Sequence, residues 1–210
     1  MIMLRFIKKM LSISTFGHIS LAALAVCLIS GVFLAVPYNV EDPFLSISTM
    51  MVLNPAASFI RNIHFWSAQL FLVFTLLHIW DHFNKSDDIR LKKGVWFRLS
   101  LVVLIIFIVM LTGFLLKGDS DSKQAWLILD NLLVGIPIIG SALSYSLLGN
   151  EGSLQLVYVH HIATFTVFIV IILFEHSRKI WSEISTFIIV TIIVLLISFF
   201  YTAPIHDGLN

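Results

Sequence analysis

The 210-residue sequence is 59% hydrophobic and only 12% charged, with a mean hydropathy of +0.99, which excludes an ordinary water-soluble domain and places the chain in a membrane. A net charge of +1 gives no reason to expect a nucleic-acid partner. The single cysteine, Cys27, excludes a disulfide framework and a thiolate-ligated cluster within this chain.

A bilayer core of roughly 30 Å takes about 20 mostly apolar residues per helix. Five stretches meet that demand: Ile19–Val36, Ile63–Asp81, Trp96–Leu116, Leu154–Phe174 and Ile184–Tyr201. The basic stretch Arg5-Phe-Ile-Lys8-Lys9 leads into the first without a small-residue cleavage pattern, so that span is expected to be retained. The connection from Pro37 to Asn62 contains Asp42-Pro43 and Asn54-Pro55 and reads as turns and short segments. The next, His82 to Val95, is polar and basic. Lys117 to Ser153 is different, because its middle is apolar but broken by Gly135, Pro137 and Gly140. It predicts a hairpin of short helices at the outer surface. No Pro/Gly/Ser-rich linker divides the chain, so residues 1–210 are expected to form a single all-α membrane domain, a four-helix bundle with a fifth helix and the hairpin added.

Orientation follows from the basic residues. With the N-terminus inside, the inner side carries Arg5, Lys8, Lys9, Lys85, Arg90, Lys92, Lys93, Arg98, Arg178 and Lys179, and the outer side Arg61, Lys117 and Lys123. The expected location is therefore a cytoplasmic membrane, bacterial or archaeal, with the N-terminus on the cytoplasmic side.

Two spans carry a histidine near each end. His64 and His78 are 14 residues apart, and His161 and His176 are 15 apart. At 100° and 1.5 Å per residue, the first pair lies about 40° apart around the helix and roughly 21 Å along it, the second about 60° and roughly 22 Å. Each pair shares one face and reaches both membrane surfaces. Intramembrane ionisable residues are rare and functional. Zinc or copper needs several ligands converging within a few ångströms, which pairs so far apart cannot supply. Two bis-histidine sites, each clamping a flat macrocycle with one axial ligand from either side, satisfy the pattern. His160 lies on nearly the opposite face from His176 and is the poorer ligand candidate, and structural or interfacial roles are expected for His18, His82 and His206. A flat ring also needs helices to approach closely, which glycine permits. Gly17 and Gly31 repeat the 14-residue step, and Gly113 sits near the outer end of the third span.

These residues resemble the N-terminal, di-haem half of the cytochrome b family of quinol–cytochrome c and plastoquinol–plastocyanin oxidoreductases. The resemblance rests on Leu28-Ile-Ser-Gly-Val-Phe-Leu-Ala-Val-Pro-Tyr38, Phe59-Ile-Arg-Asn-Ile-His64, Leu77-His-Ile-Trp80, Ile136-Pro-Ile-Ile-Gly140 and Ala203-Pro-Ile-His-Asp-Gly208. It implies two non-covalent b haems, the outer and lower-potential one on His64 and His161, the inner one on His78 and His176, with Arg61 pairing haem propionates. The 15-residue step resembles the photosynthetic branch, although Thr15 stands where that branch has a cysteine for an additional haem. Three departures limit the transfer. Gly113 is followed by Phe-Leu-Leu-Lys117-Gly118 rather than a Pro-Trp pair, Leu99 replaces a glycine, and Trp80-Asp81-His82 lacks an arginine, leaving Arg98 or Arg178 as inner propionate partners. The family's Pro-Glu-Trp-Tyr element follows the fifth helix, beyond this sequence, so a complete outer quinol site is not expected from this chain alone.

Two stacked haems imply transmembrane electron transfer between a quinone, for which Asp81, His82, Arg178, Lys179 and Glu183 are inner candidates, and a partner redox subunit such as an iron–sulfur or c-type cytochrome protein docked near the hairpin. A homodimer is suggested by the resemblance alone. Competing readings are a histidine-dependent proton or metal transporter, disfavoured by spans poor in acidic residues and without repeated discontinuous helices, and a non-redox anchor, which leaves the spacing unexplained. Four-helix b subunits that anchor hydrogenases or formate dehydrogenases also bind two haems, but the hairpin, fifth helix and ligand spacing here favour the cytochrome b pattern.

Overall fold

The computed structural model describes residues 13–85, 93–150, 153–177 and 182–206. The basic residues Arg5, Lys8, Lys9, Arg90, Lys92, Arg178 and Lys179 used to orient the chain lie outside them. In chain order the helices are α1 (Ile13–Ala35), α2 (Pro43–Leu53), α3 (Pro55–Lys85), α4 (Lys93–Leu115), α5 (Ser120–Val134), α6 (Gly140–Leu148), α7 (Gln155–Val159), a π-helical turn at His160–Thr164, α8 (Phe165–Ser177) and α9 (Ile184–Phe200). No strand occurs among the described residues. Among the described residues four stretches are long and apolar enough to cross a bilayer: Phe16–Ala35, Pro55–Asn84, Phe97–Leu115 and Gln155–His176. The apolar α9, at 17 residues, stands at the short end of the spanning range. The chain is an all-α membrane protein.

The helix of the second span begins at Pro55, well before the apolar run that opens at Ile63. Asn54 Oδ1 accepts from the Ala57 amide at 3.1 Å, and Pro55, which has no amide hydrogen to leave unsatisfied, opens α3. Asp42 and Pro43 repeat the device at α2, where Asp42 Oδ1 accepts from the Leu45 amide at 3.2 Å. The two Asx-Pro pairs are thus helix starts.

The chain divides into two compact units. The first comprises residues 1–33, 59–100 and 173–203. Within it α1 meets α3 through a 2.7 Å hydrogen bond between the Ser20 and Thr75 hydroxyls and a Phe16–Phe74 ring contact. The start of α3 also clasps the end of α9. Arg61 Nη1 donates to the Ala203 carbonyl at 2.9 Å and Asn62 Nδ2 to the Ser198 carbonyl at 3.2 Å, while Asn62 Oδ1 accepts from the Ala203 amide at 2.9 Å. Trp66 Nε1 donates to the Tyr201 carbonyl at 2.8 Å. The Ser198 bond satisfies a carbonyl that the helix C-terminus leaves without an intrahelical partner, and the others hold the segment that follows it.

The second unit comprises residues 34–58, 101–172 and 204–210. Its core is Leu115, Leu116, Leu148 and Val157, beside stacked Tyr38 and Tyr158 rings. The Tyr38 hydroxyl donates to the Leu116 carbonyl at 2.8 Å. Burial, with Tyr158 alongside, raises that phenol above its ordinary range and keeps it a donor. Helices α5 and α6 form the expected hairpin, tied by Ser144 to Asp130. Its turn does not use a glycine for the left-handed residue. Ile138 takes φ 71° with its side chain fully exposed, inside a γ-turn closed by the Ile139 amide on the Pro137 carbonyl at 2.8 Å. Gly140 serves close approach instead, since a Cβ there would lie 2.5 Å from the carbonyl oxygens of Leu133 and Val134.

Asp119 holds the hairpin's base. Its fully buried carboxylate caps α5 through the Ser122 amide at 3.0 Å, takes Lys117 Nζ at 2.8 Å, and accepts from the His206 amide at 3.1 Å. Burial alone would raise its pKa, but Lys117 and the two amides hold it below its ordinary 3.8. Because the folded value is depressed, this stabilisation is complete above about pH 3.8 and is lost as pH falls through the lower folded value. Asp119→Asn is expected to cost roughly 3 kcal/mol at neutral pH by stranding Lys117 and to remove this acid-side loss. Thermal unfolding of the detergent-solubilised protein across that acid range, native against variant, checks both.

Candidate functional site

His64 lies at the start of the apolar part of α3 and presses on α1. Its Nδ1 is 2.9 Å from the Cys27 carbonyl, with the Ser30 hydroxyl at 3.4 Å and the Cys27 sulfur at 3.6 Å. A carbonyl oxygen can only accept, so Nδ1 carries the proton and the neutral ring keeps its coordinating electron pair on Nε2. The ring reaches the helix backbone because residue 31 is glycine. A Cβ there would stand 3.0 Å from the His64 Cε1 atom.

His161, on a different helix, repeats the arrangement against α4. Its Nδ1 lies 3.1 Å from the Val109 carbonyl and 3.2 Å from the Thr112 hydroxyl, and a Cβ on Gly113 would approach its Cε1 to 2.7 Å. In both cases the carbonyl, hydroxyl and glycine fall at positions i, i+3 and i+4, one helical turn presenting all three to one imidazole. His78 likewise lies against a glycine, Gly17, whose Cβ would stand 3.2 Å from its Cε1. Gly17 and Gly31, chosen by register, and Gly113, chosen by its place near the outer end of the third span, therefore each meet a histidine from the set chosen by spacing. His176 occupies the last turn of α8 and is exposed.

The π turn bears on the unequal spacing. Its Phe165 amide reaches back five residues to the His160 carbonyl, and the Thr166 hydroxyl donates to the His161 carbonyl. Such a turn holds roughly one residue more than an α turn. His161 is its second residue, so most of the widening lies on the way to His176. Fifteen residues then advance about as far around the helix as fourteen in a plain α-helix, so the offset swings from about 60° beyond four full turns toward the roughly 40° short of four turns of His64 and His78.

Other candidates sit elsewhere. Arg61 is buried with its guanidinium on the Ala203 carbonyl. Arg98 pairs with Glu175 at 3.3 Å, and Arg178 lies outside the described residues. His160 turns to the hairpin, its Nε2 2.9 Å from the Ser146 carbonyl. His82 approaches the His78 ring, and His18 stands 4.0 Å from Glu183. His206 contacts Asp121, and with Asp119 these groups could converge on a cation, but Lys117 already neutralises the buried carboxylate. Ser30 and Thr112 do not stand out in the sequence, although each directly precedes a chosen glycine.

The donor set suits a haem iron. Imidazole ligands donate their second ring N–H to a carbonyl, which fixes tautomer and orientation, and the glycine notches let a ring lie close to a helix. The sequence matches the family model Cytochrome b/b6/petB over residues 2–179. The chain belongs to the cytochrome b/b6 family. It is similar to the cytochrome b of Pantherophis bairdi, 28% identical over 159 residues that make up 72% of this chain and 42% of that protein. Those of Chondrus crispus, 26% over 130 residues, and Chlamydomonas reinhardtii, 24% over 135, cover 61% and 63% of this chain. The matches span 34% and 35% of those two proteins. Membership makes this cytochrome an integral membrane protein that binds haem b.

The glycine contacts predict a graded series. Gly113→Ala, Gly31→Ala and Gly17→Ala place a Cβ at 2.7, 3.0 and 3.2 Å from an imidazole carbon, so haem retention in purified protein should fall in the order Gly17→Ala, Gly31→Ala, Gly113→Ala. Pyridine haemochrome quantitation per chain measures it, and equal retention in all three would contradict the steric reading.

Proposed function

We propose that this cytochrome is a di-haem electron-transfer subunit of a membrane oxidoreductase. The repeated imidazole cradle carries the reading: His64, His78 and His161 each lie against a helix glycine, and the Nδ1–carbonyl bonds of His64 and His161 hold the tautomer that iron requires. His64 and His161 would hold one haem, and His78 and His176 the other. Along α3 the two axial positions are 14 residues and about 21 Å apart, a spacing that suits one site near each membrane face. Bound haem supplies a one-electron iron couple, while the protein fixes position and potential.

Electrons would pass between a quinone and a partner redox subunit, an iron–sulfur or c-type cytochrome protein docking by the α5–α6 hairpin. The basic residues support an N-terminus on the cytoplasmic side of a bacterial or archaeal membrane, and a homodimer is consistent with the resemblance. Loss of one axial histidine should cost one haem and spare the other. Haem content and reduced-minus-oxidised spectra of His64→Ala and His78→Ala test this, with two b haems per intact chain and a different one lost in each variant as the expected result. One haem in the intact, haem-supplied protein would refute the two-site assignment.

A further inference from the structure

We propose that the hydroxyls of Ser30 and Thr112 are positioning residues that lower the potential of the haem held by His64 and His161, an inference that rests on the haem assignment above. Both side chains are buried. The Thr112 hydroxyl donates to the Val109 carbonyl at 2.9 Å, and the same oxygen atoms stand 3.2 and 3.1 Å from His161 Nδ1. The Ser30 hydroxyl lies 2.8 Å from the Val26 carbonyl and 3.0 Å from the Cys27 carbonyl, and His64 Nδ1 lies 2.9 Å from the latter and 3.4 Å from the hydroxyl.

Back-bonding to a preceding carbonyl is what any serine or threonine in an apolar helix does. It does not account for the rest of the arrangement. On two separate helices the hydroxyl directly precedes the glycine that admits the imidazole, and on both it reaches that imidazole's Nδ1. With its hydrogen spent on a carbonyl, each hydroxyl oxygen turns an electron pair toward Nδ1–H, so the ring N–H is shared between two acceptors. A second acceptor makes the ring a stronger electron donor and fixes its plane. In a site sheltered from water the effect is not screened. An electron-rich axial ligand favours ferric over ferrous iron, which lowers the potential. The device belongs to these two glycines, since the residue before Gly17 is Phe16, which carries no hydroxyl. Both ligands assigned to one haem are therefore hydroxyl-supported.

The test is a redox titration of both haems, followed by α-band absorbance, in Ser30→Ala, Thr112→Val, Ser30→Thr and Thr112→Ser. Removing either hydroxyl should raise the same one of the two potentials by about tenfold in ferric-to-ferrous preference, which is ~59 mV for a one-electron couple, and leave the other unmoved. Keeping the hydroxyl should keep the native potential. Unmoved potentials with both haems bound overturn the proposal, as does an equal shift of both haems or a shift in the hydroxyl-retaining variants as large as in the others. Where a hydroxyl-free variant loses haem, its hydroxyl-retaining counterpart must keep it at native potential, and loss in both overturns the proposal. An intact protein with fewer than two haems refutes the haem assignment and this inference together, whereas two haems with unmoved potentials refute this inference alone.

Discussion

The constraint on which the site depends is a hydrogen bond from an imidazole Nδ1 to a helix carbonyl, made across a gap that only glycine leaves open. A carbonyl in the middle of an α-helix already serves the helix, and its second electron pair is shielded by side chains. Where a residue one turn later has no Cβ, a ring from another helix reaches that pair. His64 does so at Cys27 and His161 at Val109. One contact thereby fixes helix separation, ring orientation and tautomer. Rotation of either helix would break all three at once.

Around such contacts each unit is secured by bonds to backbone atoms. Arg61, Asn62 and Trp66 serve carbonyls at and just past the end of α9 and the Ala203 amide, and Asp119 joins a helix cap, a lysine and the amide of His206. In an apolar solvent the attraction between oily side chains no longer separates folded from unfolded chain, so polar bonds of this kind and close backbone packing decide which helices meet. The sequence places those groups at the ends of spans, where each can satisfy a helix terminus as well as a neighbour.

The spans were legible because apolar length is a strong signal, and the glycines because Gly17 and Gly31 repeat the step of His64 and His78. Helix starts were less so. Asn54-Pro55 carries the chemistry of a turn and of a helix start alike, and only the Ala57 amide on the Asn54 side chain decides between them. The hairpin was visible in its breakers, yet the left-handed residue is Ile138, which no preference would select. Ser30 and Thr112 escaped notice because small hydroxyl residues are ordinary in apolar helices, and their reach to an imidazole exists only in three dimensions. The Ala203 carbonyl that Arg61 meets lies 142 residues away along the chain, a contact no local pattern could announce.

The widened turn at His160–Thr164 has a consequence for how such chains are compared. A ruler that counts residues between ligands reports 15 in one span and 14 in the other and so treats the two spans as unequal. The wide turn makes the extra residue nearly silent in space, so the membrane registers almost no change. In this chain ligand spacing is better measured in turns than in residues.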